Sequence, residues 1–355
     1  MTRIKRRKTR IVKIGNLAIG GSHRIAIQSM AKTRTADIEK TSAQIKELAL
    51  AGCEIVRVAV KDESDARAIR HLKKRIKIPL VADIHFDWRL ALLAIENGAD
   101  KIRLNPGNIF KRSQVSEIAR AGRMHRIPIR VGLNSGSLKT RGKRNSGLAA
   151  IMVKEARDYL KILEKSGFCN IVVSLKGSDI LDTLAAYRMM ARYCDYPFHL
   201  GVTATGLPQE GAVKSSIAIG ALLLEGIGDT IRVSLTDQPG EEIRVARAIL
   251  QSLGLRNFAP EVISCPTCGR CGVDLIPKVR ELEKRLSFLS WEPAARPLRI
   301  ALMGCVVNGP GEAREADIGI AFGNNKEGLL FKKGKALRKV SFADCLEVLL
   351  REVKR

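Results

Sequence analysis

The sequence predicts a parallel (β/α)8 barrel followed by a small α/β domain. Eight short runs rich in β-branched residues recur before residue 236, and amphipathic helical segments occupy most of the intervals between them. Strands that alternate with helices eight times are typical of a closed parallel barrel. The runs cover residues 25–30, 55–60, 80–84, 101–104, 129–133, 171–175, 199–203 and 230–235.

Helical segments and turn chemistry support this TIM-barrel interpretation over an open sheet. A doubly wound sheet would need a glycine-rich phosphate turn after its first strand, and residues 28–32 read Gln-Ser-Met-Ala-Lys. Amphipathic helical patterns cover residues 37–51, 88–96, 114–121, 150–166, 180–192 and 215–224.

The pattern changes after residue 255, which predicts a second domain. Residues 257–261 have the composition of a linker, and a helix is expected over 276–289. Strands are expected over 298–303 and 316–322, then a basic hairpin at 331–339 and a closing helix over 342–353. We therefore predict a substrate-binding barrel domain at residues 1–256 and a C-terminal domain at 257–355.

Charge is the most unusual bulk property of the chain. Its 355 residues carry a formal net charge of +26, but aromatic residues make up only 4% and no recognition-helix or ribonucleoprotein signature occurs. Because the Lys and Arg residues are spread along the whole chain, nucleic-acid binding is not favoured. The charge excess fits an acidic protein partner or a phosphorylated substrate.

Cysteine spacing and hydropathy indicate where the protein works. Three of the eight cysteines lie within seven residues and the others are scattered, which is not the pattern of a secreted disulfide framework. We therefore expect the protein to reside in a reducing cytoplasm. No uncharged apolar run reaches 18 residues, so no membrane helix is expected.

Cationic side chains occupy the ends of five predicted strands. In a parallel barrel the carboxyl ends of the strands build the active site. Forked Arg groups match phosphate oxygens, so convergence of these side chains predicts a site for a diphosphate or a similar polyanion. The cations are Arg57, Arg103, Arg130, Lys176 and Arg232; polar strand-end neighbours are Asp83, His85, Asn105, Asn134, Ser174, Thr203 and Ser234.

The second domain opens with a cysteine motif that permits three metal sites. Cys265, Cys268 and Cys271 are spaced as in the opening of a ferredoxin motif, and Cys305 follows alone. A zinc ribbon would need a second Cys-x2-Cys pair, so structural zinc is the weakest of the three. A further possibility joins Cys265 and Cys268 to Cys305 and leaves one iron of a [4Fe-4S] cluster to a ligand other than thiolate. Spacing alone does not separate this arrangement from the ferredoxin-like one.

Several long motifs of this chain resemble the family of 4-hydroxy-3-methylbut-2-enyl diphosphate synthases of the non-mevalonate isoprenoid pathway. The resemblance runs from about Arg7 to the C-terminal helix, and the family combines a barrel with a cluster domain. The motifs are QSM at 28–30, EIVRV at 54–58, PLVADIHFD at 79–87, RLNPGNI at 103–109, VKS at 213–215, GIGDTIRVSL at 226–235, CPTC at 265–268 and GCVVNGPGEA at 304–313.

The resemblance implies a cofactor, a substrate and partners. It implies a [4Fe-4S] cluster held by Cys265, Cys268 and Cys305, with Glu312 as an exchangeable fourth ligand, and it leaves Cys271 outside the ligand set. The implied reaction is two-electron reductive ring opening and dehydration of 2-C-methyl-D-erythritol 2,4-cyclodiphosphate. Reduced flavodoxin or ferredoxin would supply the electrons to a homodimer. The implied substrate-binding residues are Arg57, Arg103, Arg130, Asn134, Lys176, Thr203, Arg232 and Ser234.

One position departs from the family pattern. Where the family reads Gly-Val-Thr-Glu-Ala-Gly, this chain has Ala204 in place of the acidic residue. Loss of a positioned general acid typically costs 10²–10⁴-fold in rate. Asp83 is the nearest substitute acid, and the alternative is an impaired relative that binds a diphosphate or nucleic acid without this turnover.

Overall fold

The computed structural model describes residues 4–138, 147–203, 205–287, 289, 291, 296–323 and 326–353. The chain divides into two compact units, Met1–Leu253 and Gly254–Arg355. This division lies three residues before the predicted boundary at 256/257. The assignment of substrate binding to the first unit and of the cluster to the second stays a prediction.

The first unit is a closed parallel barrel, as predicted. Each strand pairs in parallel with its neighbours; β10 pairs with both β3 and β9, and a bridge between Val173 and Phe198 joins β8 to the chain entering β9. After the hairpin β1 (Val12–Ile14) and β2 (Leu17–Ile19), the barrel strands are β3 (Ala26–Met30), β4 (Ile55–Val60), β5 (Leu80–Ile84), β6 (Lys101–Leu104), β7 (Ile129–Asn134), β8 (Ile171–Lys176), β9 (His199–Leu200) and β10 (Thr230–Ile231).

In the described part of the barrel, seven helices connect these strands and an eighth follows the last one, and local sequence explains where several begin. Asp37, Asp62 and Asp179 each accept a hydrogen bond from a backbone N–H of the first turn, which caps α1, α2 and α6. The helices are α1 (Ile38–Ala51), α2 (Glu63–Arg75), α3 (Arg89–Glu96), α4 (Arg112–Met124), α5 (Leu148–Lys165), α6 (Ile180–Tyr193), α7 (Pro208–Leu224) and α8 (Pro239–Ser252).

The last two barrel strands are shorter than predicted. The seventh was expected to reach residue 203 and the eighth residue 235, but β9 ends at Leu200 and β10 at Ile231. Gly201, with φ of +156°, follows β9 directly, a conformation that side-chain-bearing residues rarely adopt. Apolar residues beyond these points are therefore buried in loops and not in the sheet.

The β1–β2 hairpin closes the amino-terminal end of the barrel. Its Val12, Ile14 and Ile19 form one apolar cluster with Ala26, Ile55, Val81 and Val172 from the barrel strands. Burial of this cluster stabilises the closed sheet by removing apolar area from water. The end of the barrel opposite the predicted site is thus sealed by hydrocarbon.

The second unit is a five-stranded mixed sheet with three helices. Its sheet order is β11-β12-β13-β14-β15; the first three strands are parallel and the last two antiparallel. The elements are β11 (Glu261–Ser264), α9 (Leu275–Ser287), β12 (Arg299–Met303), α10 (Gly309–Glu315), β13 (Ile318–Phe322), β14 (Glu327–Lys332), β15 (Lys335–Ser341) and α11 (Cys345–Val353).

Two elements of this unit were not predicted. Strand β11 begins at Glu261, where the composition indicated the end of a linker, and α10 forms within the glycine- and proline-containing segment after Cys305. Both elements border the cysteine motif. None of the described helices is long and apolar enough to cross a membrane.

We expect Ile14→Ala to lower the free energy of unfolding by about 2–4 kcal/mol, because Ile14 is fully buried in the hairpin cluster. Denaturant unfolding followed by circular dichroism measures this change. Ile11→Ala is the matched control, since Ile11 is 62% exposed and its loss should cost less than about 0.5 kcal/mol. Equal effects of the two substitutions would contradict the role given to the hairpin.

Candidate active site

The cations predicted at the strand ends converge inside the barrel. The parallel register pairs Asp83 with Arg103, Arg103 with Arg130, and Asn134 with Lys176. Arg103, Arg130 and Lys176 are almost completely buried, with 3%, 1% and 5% of their surface exposed. Long cationic side chains are seldom enclosed to this degree unless an anion or a carboxylate accompanies them.

Asp83 holds two of these arginines in place. Arg103 Nη1 lies 3.1 Å from Asp83 Oδ1, and Arg57 Nε lies 3.6 Å from Asp83 Oδ2. Arg103 also donates through Nη2 to the carbonyl of Gly132 at 2.9 Å. His85 Nε2 lies 3.4 Å from Asp83 Oδ2 and is partly exposed at the strand end. Asp83 thus fixes the direction of two guanidinium groups.

The protonation state of Asp83 follows from this environment. Burial alone would raise its pKa, but the charges of Arg57, Arg103 and Arg130 and a hydrogen bond from His85 lower that pKa far below its usual value. Asp83 is therefore an ionised carboxylate at neutral pH. This is the state of a positioning group, and it opposes the expectation that Asp83 replaces the missing acid as proton donor.

Arg232 and Lys176 complete the cationic lining. Arg232 Nη2 lies 3.3 Å from Glu242 Oε1, and Glu242 also accepts from the Leu235 N–H. Burial, followed by the charge of Arg57, lowers the pKa of Arg232 to about 10. The Lys176 ammonium group passes so close to Gly201 that a Cβ on residue 201 would overlap it. This explains why position 201 is a glycine.

Mutual repulsion shows how strongly this interior favours an anion. Burial is the largest cause that lowers the pKa of Arg130 and Lys176, and neighbouring cations lower it further: Arg57 and Arg103 for Arg130, Arg232 and Arg130 for Lys176. A bound polyanion would offset the repulsion from neighbouring cations and so raise these pKa values again. The arrangement is therefore suited to phosphate groups.

The remaining predicted side chains lie around the same strand ends. Asn134 is the last residue of β7, and Thr203 and Ser234 follow β9 and β10 in loops. All three are partly exposed, and the Thr203 N–H donates to the Gly177 carbonyl at 3.1 Å. Position 204 lies outside the described residues, so the structure gives no account of the Ala204 side chain.

The second unit brings the cysteines of its motif into one cavity. This cavity of about 310 Å³ lies between the loop after β11 and the segment from β12 to α10. Glu312, in the first turn of α10, lines it together with the thiols. The sulfur-bearing lining residues are Cys265, Cys268, Cys271, Met303 and Cys305.

The environment of Cys305 favours its thiolate form. Backbone N–H groups of Asn308, Val307 and Gly309 hydrogen-bond to its sulfur and lower its pKa, in that order of effect. A thiolate is the form that binds iron or zinc. The backbone N–H of Gly304 lies 3.4 Å from the Cys265 sulfur, so the same segment also supports a second thiol.

Cys271 differs from its neighbours in the same cavity. Its thiol donates to the Val273 carbonyl at 3.2 Å, and burial together with the nearby thiols Cys265 and Cys305 raises its pKa. A Cβ on Gly304 would overlap the Cys271 sulfur, so this thiol lies against the backbone of that glycine. Cys271 is accordingly a protonated side chain within the cavity wall, and it differs in this respect from Cys305.

The donor set of the cavity fits a cluster better than a single ion. Among the described residues no three His, Cys, Asp or Glu side chains converge closely enough to hold one metal ion. A cluster separates its ligands further than one ion does, and this cavity of about 310 Å³ is lined by four thiols and the Glu312 carboxylate. The residues present therefore suit an iron–sulfur group.

The sequence analysis did not identify some polar residues that lie at or near the barrel site. Glu242 is buried on α8, a helix for which no prediction was made, and it contacts Arg232 and the hydroxyl of Ser29. Gln28, Lys101 and His199 are buried polar side chains on barrel strands. Charge at the edge of an apolar run was the available signal for Lys101, and it became informative only once the strand direction was known. Glu242 follows Glu241 in a polar segment and gave no such signal.

Comparison with protein families matches both units. The model described as the GcpE TIM-barrel domain matches residues 9–247, and that of the GcpE protein C-terminal domain matches residues 261–355. Together the two matches cover most of the chain. The division between the units lies in the short segment between them.

Similar curated proteins match over nearly the full length. A protein of Caldanaerobacter subterraneus subsp. tengcongensis is 52% identical over 99% of this chain and 98% of its own length. A Bacillus cytotoxicus protein is 52% identical over 98% of this chain and 94% of its own, and one from Anoxybacillus flavithermus is 51% identical over 99% and 96%. All three are named 4-hydroxy-3-methylbut-2-en-1-yl diphosphate synthase (flavodoxin).

Solved structures with the same barrel are more distant. Dihydropteroate synthase from Stenotrophomonas maltophilia superposes with a TM-score of 0.52 at 15% identity, covering 67% of this chain and 97% of the other. The Yersinia pestis enzyme gives 0.51 at 11% identity, with 68% and 98% covered. At these identities the likeness concerns the fold alone. Sequence identity and family matches over both units establish that the chain belongs to the GcpE family.

Proposed function

We propose that the barrel mouth binds a cyclic diphosphate through Arg57, Arg103, Arg130, Asn134, Lys176, Thr203, Arg232 and Ser234. The observation that carries this assignment is the enclosure of five cations at the strand ends with only Asp83 and Glu242 as carboxylate partners among the described residues. Five positive side chains around two carboxylates leave a charge excess that a diphosphate offsets.

The chain is a 4-hydroxy-3-methylbut-2-enyl diphosphate synthase of isoprenoid biosynthesis. It catalyses two-electron reductive ring opening of 2-C-methyl-D-erythritol 2,4-cyclodiphosphate, with loss of one oxygen as water. Ring opening releases negative charge on the diphosphate, and preorganised guanidinium groups stabilise such charge without reorganising. Binding without turnover is not favoured, because the similar curated proteins are named as synthases.

We propose Cys265, Cys268, Cys305 and Glu312 as the ligands of a [4Fe-4S] cluster. When bound, the cluster would supply the two electrons and an iron that acts as a Lewis acid. The backbone amides around Cys305 lower the pKa of that thiol and so favour the thiolate that binds iron. Glu312 contributes a carboxylate, a weaker ligand for iron than thiolate, and so provides the exchangeable position.

The proposed electron donor is an acidic carrier of the flavodoxin or ferredoxin type. The curated relatives carry flavodoxin in their names, and the net charge of +26 favours encounter with an acidic protein. We further propose a cytoplasmic homodimer in which the cluster domain of one subunit serves the barrel of the other, as the family resemblance implies.

Iron content tests the ligand set. We expect anaerobically purified protein to hold about four iron atoms per chain and to absorb near about 400 nm. Cys305→Ser should lose most of this iron, because it removes the thiolate that three backbone amides stabilise. Cys271→Ser is the matched control and should retain iron and absorbance. Loss of iron in both variants would contradict the exclusion of Cys271, and a colourless protein with one zinc would overturn the cluster.

Mixing two inactive variants tests the site residues and the dimer together. Lys176→Met should lose substrate binding with its cluster intact, and Cys305→Ser should lose the cluster with its barrel intact. If sites are shared between subunits, an equal mixture after subunit exchange should recover about a quarter of wild-type activity. No recovery in a sample whose heterodimers are verified by mass spectrometry, or an active monomer, would refute the shared site.

Substitution at position 204 tests the missing acid. We expect Ala204→Glu to raise kcat by up to about 10²-fold with sodium dithionite as reductant, because a positioned acid contributes about 10²–10⁴-fold. Ala204→Gln has nearly the same size without the acid and should leave kcat near the wild-type value. A comparable increase with Gln would show that side-chain volume, and not proton donation, matters there.

A further inference from the structure

A second polar region lies deeper in the barrel than the strand-end cations. The interior of such a barrel is filled by layers of four side chains taken from alternate strands. Following the parallel register around the closed sheet places Gln28, Val81, Arg130 and His199 in one layer. The layer below it, nearer the hairpin, contains Ile55, Lys101, Val172 and Thr230, by the same register.

These two layers concentrate buried polar atoms that have no hydrogen-bond partner among the residues the structure describes. Both amide atoms of Gln28, the Lys101 ammonium nitrogen, Nε and Nη1 of Arg130 and Nε2 of His199 are in this state. All four side chains are at most 1% exposed. Leaving a buried donor unsatisfied costs about 1–3 kcal/mol, and more for a charged group. Four such residues in two adjacent layers therefore point to a bound ligand.

Charge specifies what that ligand is. Lys101 and Arg130 bring two cations into these layers, and none of the layer residues is acidic. The nearest carboxylate above them, Asp83, is occupied by Arg57 and Arg103, and Glu242 is occupied by Arg232. Burial, and then the charges of Arg130 and Arg57, lower the pKa of Lys101 well below its usual value, and a bound anion would offset that shift. Water could satisfy the hydrogen bonds but would not balance the charge of Arg130 and of protonated Lys101, so the two layers favour an anion.

The surroundings restrict the ligand to a small ion. Lys101 shares its layer with Ile55 and Val172, which belong to the apolar cluster that the β1–β2 hairpin seals from below. Above Arg130 lies the layer that contains Arg57, Arg103 and Arg232. A ligand between these boundaries has hydrocarbon on one side and guanidinium groups on the other, which suits a compact monovalent anion.

We propose that Gln28, Lys101, Arg130 and His199 form an internal binding site for a small inorganic anion of chloride size. The Gln28 amide and the Lys101 ammonium donate hydrogen bonds to the ion, and Arg130 donates from the layer that it shares with Gln28. The anion balances the charge beneath the diphosphate-binding arginines. The site shares Arg130 with the proposed diphosphate site, but its occupancy can be measured without substrate or cluster.

His199 fits this role through its fixed tautomer. Its Nδ1 lies 2.8 Å from the Thr230 hydroxyl. When that hydroxyl donates to Nδ1, the neutral ring carries its proton on Nε2 and presents it to the ion. Burial, and then the charges of Lys176, Arg130, Lys101 and Arg57, lower the pKa of His199 well below its usual value, so the ring stays neutral.

Anomalous scattering and thermal unfolding test this site together. We expect crystals of the wild-type protein grown in bromide to show one anomalous peak between the Lys101 ammonium and the Gln28 amide. Thermal unfolding in gluconate at constant ionic strength should show a saturable rise in Tm with added chloride, of about 4 °C at tenfold excess over Kd.

Lys101→Met should abolish both the bromide peak and the chloride-dependent rise in Tm. Lys46→Met, which removes the same charge from an exposed position on α1, should retain both. Density for water alone at saturating bromide, or a chloride effect that Lys101→Met leaves unchanged, would overturn the proposal. If Lys101→Met does not fold, the presence or absence of the wild-type bromide peak decides.

Discussion

Enclosure of cations inside the barrel is the constraint on which the rest of this molecule depends. Three arginines approach one another in a buried space, where an unpaired charge is destabilising: Arg57, Arg103 and Arg130. Asp83 makes this arrangement possible by pairing with the first two. Replacing one partner of a buried ion pair is strongly destabilising, because it leaves the other charge without compensation. The barrel therefore stores electrostatic repulsion that a polyanionic ligand would relieve, and this repulsion supports the proposal that the strand ends bind a diphosphate.

The thiols of the second unit show how backbone geometry separates residues of the same type. Cys305 and Cys271 line one cavity, but backbone N–H groups lower the pKa of the Cys305 thiol, whereas the Cys271 thiol donates to a carbonyl and its pKa is raised. Side-chain identity and spacing do not express this difference. It arises because the backbone N–H groups of Val307, Asn308 and Gly309, where the chain turns into α10, are directed toward the Cys305 sulfur.

Much of the fold followed from local pattern. Strands β4, β5 and β6 coincide with their predicted residues, because short β-branched runs bounded by turn residues are typical of buried strands. The strand-end arginines were also predictable, because a charged side chain inside an apolar run needs a partner. The ends of β9 and β10, the strand β11 and the helix α10 were not. At Gly201, which ends β9, the limit comes from Lys176 on β8 and the Arg232 carbonyl, which leave no room for a side chain and are distant in sequence.

The sequence by itself determined the alternation of strands and helices, the charge at the strand ends and the motifs that mark the family, because each is a local or composition-level property. Tertiary structure alone decided which charges share carboxylates and which do not. Asp83 is twenty residues from Arg103 along the chain and 3.1 Å from it in space, while Lys101, two residues from Arg103, has no partner within the described part of the chain. Closure of the sheet sets these distances, and closure is a long-range property of all eight strands.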